Sequence, residues 1–257
     1  MIKEGKMTFS LEDVEYFKIK SLFKNYPNLI TQDFENHMKQ SIKVLHFKYL
    51  WGACRETENL LKKYPCDNLY KLIMKIYSKK RKKHQINFLL LHCFENALRS
   101  TLAVKIANLY NITDDDWFFN QNINSKAGFK TLLKILRERK KHLVNEPKNT
   151  FEIFDCFYLI DLEDIISSHW SELSYLFKNP KTYKNQDLPS YGTKEYLLTK
   201  ISQIRKARNE IFHNKPTKIK FQKDLEILLL RMGYNLEEAV QIGEISTDIK
   251  LHYTHKV

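Results

Sequence analysis

Arg208, Asn209 and His213 stand close together in the run Ile204-Arg205-Lys206-Ala207-Arg208-Asn209-Glu210-Ile211-Phe212-His213-Asn214-Lys215-Pro216. Histidine exchanges a proton near neutral pH. Arginine stays charged and presents a planar fork of donors that matches phosphate oxygens. Asparagine carries both a donor and an acceptor, and can orient a ribose 2′-hydroxyl or an imidazole. Together they suit metal-free cleavage of RNA. The 2′-hydroxyl attacks its own phosphate, histidine handles protons, and arginine stabilises the charge that builds up. DNA lacks that hydroxyl and is not cut this way.

An element must hold these groups. Leu197, Leu198, Ile201, Ile204, Ala207, Ile211 and Phe212 recur at helical spacing. Pro216 disfavours helix at Lys215, so the spacing predicts a helix ending near His213 or Asn214. Asn209 and His213 share one face, with Arg205 on the same side. Arg208 and His213 are five apart, and a regular helix points them about 140° away from each other. One chain brings them onto one phosphate only if the helix loosens before His213. A two-fold dimer, with this helix end from each subunit lining one groove, removes the difficulty. A homodimer is therefore expected.

Arg208-Asn209-Glu210-Ile211-Phe212-His213 fits the R-x4-6-H motif and resembles that of the HEPN superfamily. Asn214-Lys215-Pro216 is similar to the tail that follows it in abortive-infection (Abi-like) members. Leu91-His92-Cys93-Phe94-Glu95-Asn96-Ala97-Leu98-Arg99, then Tyr110 and Asp116-Trp117, resembles their E-x-x-L-R helix and following tryptophan. Asp164-Ile165-Ile166 to His169-Trp170 and Leu176-Phe177 resembles the helix that precedes the motif in several HEPN groups. The resemblance covers roughly residues 85 to 230. It implies an all-helical bundle, a homodimer and, often, metal-independent endoribonuclease activity in defence or toxin systems; some members bind without cutting. Arg208, Asn209 and His213 are then catalytic candidates. Glu95 either orients His213 or Arg208, as an acidic residue on this helix does in some members, or makes an ordinary helix ion pair with Arg99. No cofactor or metal is expected.

Composition is consistent with that reading. Hydrophobic residues make up 43% of the 257 positions, enough for a core. Six glycines and six prolines argue for long helices over a β-sandwich. A formal charge of +13 favours a polyanionic partner, RNA first. Arg205, Lys206 and Lys215 beside the motif, and Lys134, Arg137 and Lys141 on the outer face of a helix over Gly128–Val144, are the candidate RNA contacts; that outer face can equally be solvated. Cys54, Cys66, Cys93 and Cys156 form no C-x-x-C pair and read as reduced residues of a cytoplasmic protein. No signal-peptide pattern and no run long enough to cross a bilayer are found, so no membrane association is expected. An antitoxin or regulatory partner would accompany a toxin role.

The expected fold is all-α: an N-terminal helical extension over 1–84, a HEPN-like bundle over 85–240 and a polar tail over 241–257. Ser10 and Thr31 open helices, the second running as far as Leu61, and Asp67 opens a third that ends near Tyr77. Lys79–His84 reads as a solvated linker or a nucleic-acid contact. Asn87–Asn111 is a further helix. Asp114–Asp116 reads as a cap rather than a metal site, and Trp117, Phe118 and Phe119 as a plug for the bundle. Phe151–Phe177 holds one or two helices, and Ser167-Ser168-His169 lacks the setting of a serine nucleophile. Asn179–Gly192 reads as a loop whose Tyr183 and Tyr191 either stack on bases or are hydrogen-bonded surface tyrosines. Thr193 caps the motif helix, and a final pair follows over Lys223–Gly233 and from Asn235 or Leu236 to Val240.

Overall fold

A computed structural model describes residues 10–110, 127–139 and 149–253. Asp114–Asp116, Trp117, Phe118, Phe119, Lys140, Lys141 and His142 lie outside the described residues. The described chain is all-α, with eleven helices and one two-stranded ribbon. It divides into two compact units, Met1–Gln85 and Ile86–Val257.

In the first unit, α1 (Leu11–Leu22) starts at a capping box in which Ser10 and Asp13 satisfy each other's backbone N–H. Thr31 caps α2 (Gln32–Val44). The chain then breaks at Leu45 and His46, both extended, before α3 (Phe47–Leu61). No glycine or proline announces that break. Tyr16, Ile19, Phe34, Met38, Leu50 and Ile73 are among the side chains of this unit's core.

The next helix, α4, runs unbroken over Leu69–Leu109, and the division between the units falls within it. The expected stop near Tyr77 is absent because Lys79–His84 holds no glycine or proline and is rich in residues that favour helix. Part of that run is engaged, while Lys79, Lys82 and Lys83 are exposed. Lys80 pairs with Glu56 at 2.6 Å, Arg81 lies over the Tyr49 ring, and His84 is buried with its Nδ1 on the Tyr49 hydroxyl at 2.6 Å.

In the second unit, Phe94, Leu98, Leu102 and Ile106 of α4 enter a core shared with α5 (Ala127–Arg139), α6 (Thr150–Asp155), α7 (Leu159–Ser168) and α8 (Trp170–Lys178). α9 (Lys194–Phe212) follows, capped by Thr193, then α10 (Gln222–Met232) and α11 (Leu236–Gln241), capped by Asn235. Phe151–Phe177 thus holds three helices instead of one or two. Asn179–Gly192 is more ordered than a loop: β1 (Thr182–Tyr183) and β2 (Gln186–Asp187) pair antiparallel around Lys184 and Asn185, both at positive φ. That is the turn whose twist suits a tight hairpin. Buried Arg231 donates to the carbonyls of Asn179 and Leu188, and Lys181 donates to the Arg231 carbonyl, tying the hairpin to α10. Tyr191 is not a base-stacking platform: it is 2% exposed and its hydroxyl faces Asp224.

His169 is buried in this core. Its Nδ1 donates to the Ile165 carbonyl at 3.0 Å, so Nε2 is the acceptor for the Tyr110 hydroxyl at 2.9 Å. A Cβ at Gly128 would stand 2.7 Å from that Nε2. Both ring nitrogens are held, so the imidazole cannot swing aside. Gly128→Ala is expected to destabilise by about 1–3 kcal/mol, read as a lower urea midpoint. Burial also lowers the pKa of His169 and of His84 from the ordinary 6.5. The unfolded chain therefore binds more protons than the folded one as pH drops through 6.5. The stability carried by these neutral rings is full above that pH and is lost below it. Urea midpoints should fall between pH 7.5 and 5, and His169→Gln should flatten the slope.

Candidate functional site

α9 positions the motif because its apolar face is continuous: Leu197, Ile201, Ile204, Ala207 and Ile211 are all buried, against α7, α8 and α10. The polar residues are left on the shoulders and the outer face. The helix stays regular to its end, with the His213 N–H still bonded to the Asn209 carbonyl at 3.2 Å. It then closes in a Schellman motif. The Lys215 N–H bonds the Glu210 carbonyl at 2.7 Å, the Asn214 N–H bonds the Ile211 carbonyl at 2.9 Å, and Asn214 takes the left-handed conformation at φ 57°. The helix therefore does not loosen before His213, and within one chain Arg208 and His213 point about 140° apart.

Arg208 lies on an inner shoulder. Its Nε donates to Glu95 Oε2 of α4 at 2.9 Å. Its guanidinium lies 4.2 Å from the centre of the Phe212 ring, and Phe212 stacks on Phe88 of α4 at 4.4 Å. A carboxylate in one direction and the Phe212 ring in another fix this cation, while 28% of its side chain stays exposed. Asn209 is exposed, and its Oδ1 accepts from Arg208 NH1 at 3.5 Å. His213 is exposed at the C-cap, and its imidazole makes no hydrogen bond with a described residue. Lys206, two turns earlier, shares its face and is exposed.

Glu95 is the hub of the site. It is 7% exposed and takes Arg208 on one oxygen and Arg99 NH2 on the other, at 3.1 Å. Of the three partners open to it from the sequence, Arg99 and Arg208 are thus engaged at once, and His213 is not. Arg99 extends the chain of bonds: NH2 also donates to the Phe157 carbonyl at 3.3 Å, and NH1 to Asn96 Oδ1 at 3.3 Å. The Asn96 amide donates in turn to His92 Nδ1 at 3.3 Å. Beside His92 and Asn96 lies a cavity of about 510 Å³, between α4 and the turns that follow α10 and α11.

The other sequence candidates are placed differently. Arg205 is held by Glu163 of α7, Nε to Oε1 at 2.6 Å and NH2 to Oε2 at 3.4 Å. Burial raises the Glu163 pKa, and Arg205 offsets part of that rise. Lys215 is exposed beyond the helix end. Lys134 and Arg137 are exposed on α5, which packs on α7, and Lys134 reaches Glu138 at 4.0 Å. Lys141 lies outside the described residues. The structure thus gathers Arg208, Glu95 and Asn209, and sets His213 on the adjoining outer face. Sequence reading placed Phe88 only in the apolar stripe of its helix and assigned no site role to His92 or Asn96. Their four-residue spacing, on the helix that carries Glu95, is the signal that could have found them.

Among the described residues no three His, Cys, Asp or Glu side chains are grouped to hold a metal ion, and no helix is long and apolar enough to cross a membrane. No family model matches this chain, and comparison with curated proteins and with solved structures finds none that is similar.

Proposed function

We propose that this protein is a metal-independent endoribonuclease of the HEPN type, acting in an abortive-infection or toxin system. The observation that carries the reading is one helix end. It carries an accessible imidazole, His213, and, on a different face, a guanidinium, Arg208, that a buried carboxylate and the Phe212 ring hold in place. Arg208 takes a non-bridging oxygen of the scissile phosphate. The ribose 2′-oxygen forms a bond to phosphorus as the bond to the 5′-oxygen breaks. The 2′-hydroxyl proton is removed, and the leaving 5′-oxygen gains one, with His213 as the proton-exchanging group. Asn209 orients the ribose. The products are a 2′,3′-cyclic phosphate and a 5′-hydroxyl. Because Arg208 and His213 diverge on one helix, the working site takes its arginine from one subunit and its histidine from the other.

One observation favours a non-catalytic module that holds RNA or a protein partner: Arg208 and Arg205 are each already paired with a carboxylate. End-labelled RNA incubated with the purified protein in EDTA separates the two. Cleavage to cyclic-phosphate ends supports the nuclease. Tight binding of intact RNA supports the module, and cleavage abolished by the chelator rejects the metal-independent mechanism.

A further inference from the structure

We infer that the cavity between α4 and the turns after α10 and α11 holds a nucleobase, and that it takes cytosine or adenine in preference to uracil. The inference rests on the ribonuclease reading for the origin of the base, a single-stranded RNA threaded past Arg208.

The cavity is joined to the candidate phosphate site by an unbroken series of hydrogen bonds, Arg208 to Glu95 to Arg99 to Asn96 to His92. The series ties Asn96 and His92 in the cavity wall to the carboxylate that holds Arg208. Volume is adequate: small-molecule sites span about 300–1,000 Å³, and this one is about 510 Å³. Charge selects what enters. The chain carries a formal +13, yet no lysine or arginine lines this cavity, and its anionic side chain is Glu244. A phosphate is poorly matched there; an uncharged, flat, polar ring is well matched.

Walls and edge complete the fit. Leu89 and Met232 supply apolar surface, and the His92 imidazole supplies an aromatic face. The Asn96 carboxamide is held at both ends, by Arg99 on its oxygen and His92 on its nitrogen, and keeps one N–H and one lone pair to offer. The Tyr234 hydroxyl donates to Glu244 Oε2, which orients the carboxylate. Oε1 remains as an acceptor. A carboxylate accepts from the exocyclic amino group of cytosine or adenine, whereas uracil offers a carbonyl oxygen at that position.

The test uses nucleosides, which carry no phosphate, so it does not depend on Arg208 or on cleavage. The full chain is titrated with cytidine, adenosine and uridine by calorimetry and saturation-transfer NMR. Cytidine or adenosine is expected to bind at least about tenfold tighter than uridine. Ser100→Trp, which adds bulk at an exposed position of the rim, should abolish binding, with the helical circular dichroism unchanged. Glu244→Gln should keep binding and level the discrimination. Absence of saturable binding, equal affinity for uridine, or unchanged binding in folded Ser100→Trp overturns the inference. Nucleoside binding by a protein that leaves RNA intact upholds the cavity and rejects the ribonuclease reading.

Discussion

His213→Ala is expected to lower RNA cleavage by about 10²–10⁴-fold, the range for loss of a proton-transferring side chain, and to leave the thermal midpoint where it is. The second half follows from the structure. The imidazole is exposed and bonds to no described side chain, so its removal opens no hole and strands no partner. Arg208→Ala should cost a similar factor through lost charge stabilisation. The two variants together test the two-fold site. If Arg208 of one subunit works with His213 of the other, a mixed dimer of the two variants has one intact site and one doubly damaged site. Random re-pairing of equal amounts then restores about a quarter of wild-type activity. Failure to recover any activity, with mixed dimers demonstrated by native mass spectrometry, would reject the shared site. Retention of full activity by His213→Ala would reject the catalytic assignment itself.

Glu95→Ala is expected to act on stability and cleavage together. The carboxylate is buried and receives one donor from each of two arginines. Its loss leaves Arg99 and Arg208 close together with no counter-charge, and Arg99 already has an unpartnered buried Nε. Loss of one member of such a cluster costs about 3–5 kcal/mol when fully buried. Partial exposure of both arginines places the expectation nearer about 2–3 kcal/mol. Cleavage should fall by about tenfold or more in protein that is still folded, because Arg208 keeps its Phe212 contact but loses its direction. Glu163→Gln supplies the comparison. It removes the carboxylate charge from Arg205 on the same helix while Arg208 keeps its own, so it should lower stability with little change in the chemical step. Urea denaturation and single-turnover cleavage of both variants would decide. Equal losses of activity in the two would mean that Glu95 has no specific hold on the site.

Much of the fold was legible. Ser10, Thr31 and Thr193 cap helices where the sequence placed them, because a hydroxyl followed by a periodic apolar run is a local signal that packing seldom overrides. Pro216 located the end of α9 for the same kind of reason. Less was visible where local cues are silent. The continuity of α4 through Lys79–His84 was hidden by charge, which marks a surface without marking a stop. The break at Leu45 and His46 has no breaker residue at all. At the site, the i, i+4 pairing of Glu95 with Arg99 could be read directly. The contact of Glu95 with Arg208 spans 113 positions and belongs to tertiary packing. Arg208 was read from the motif as catalytic and Arg205 as an RNA contact, and only the packed helices reveal that each has its own carboxylate.

The left-handed Asn214 has an effect on entropy. By closing the last turn of α9 with two backbone bonds, it reverses the chain directly after His213 and leaves that residue at a rigid tip. The imidazole therefore keeps only its two side-chain torsions as freedom, and a ligand meeting it need freeze little else. The Lys215 amide, locked to Glu210 on an otherwise exposed corner, should accordingly exchange with deuterium far more slowly than its surroundings.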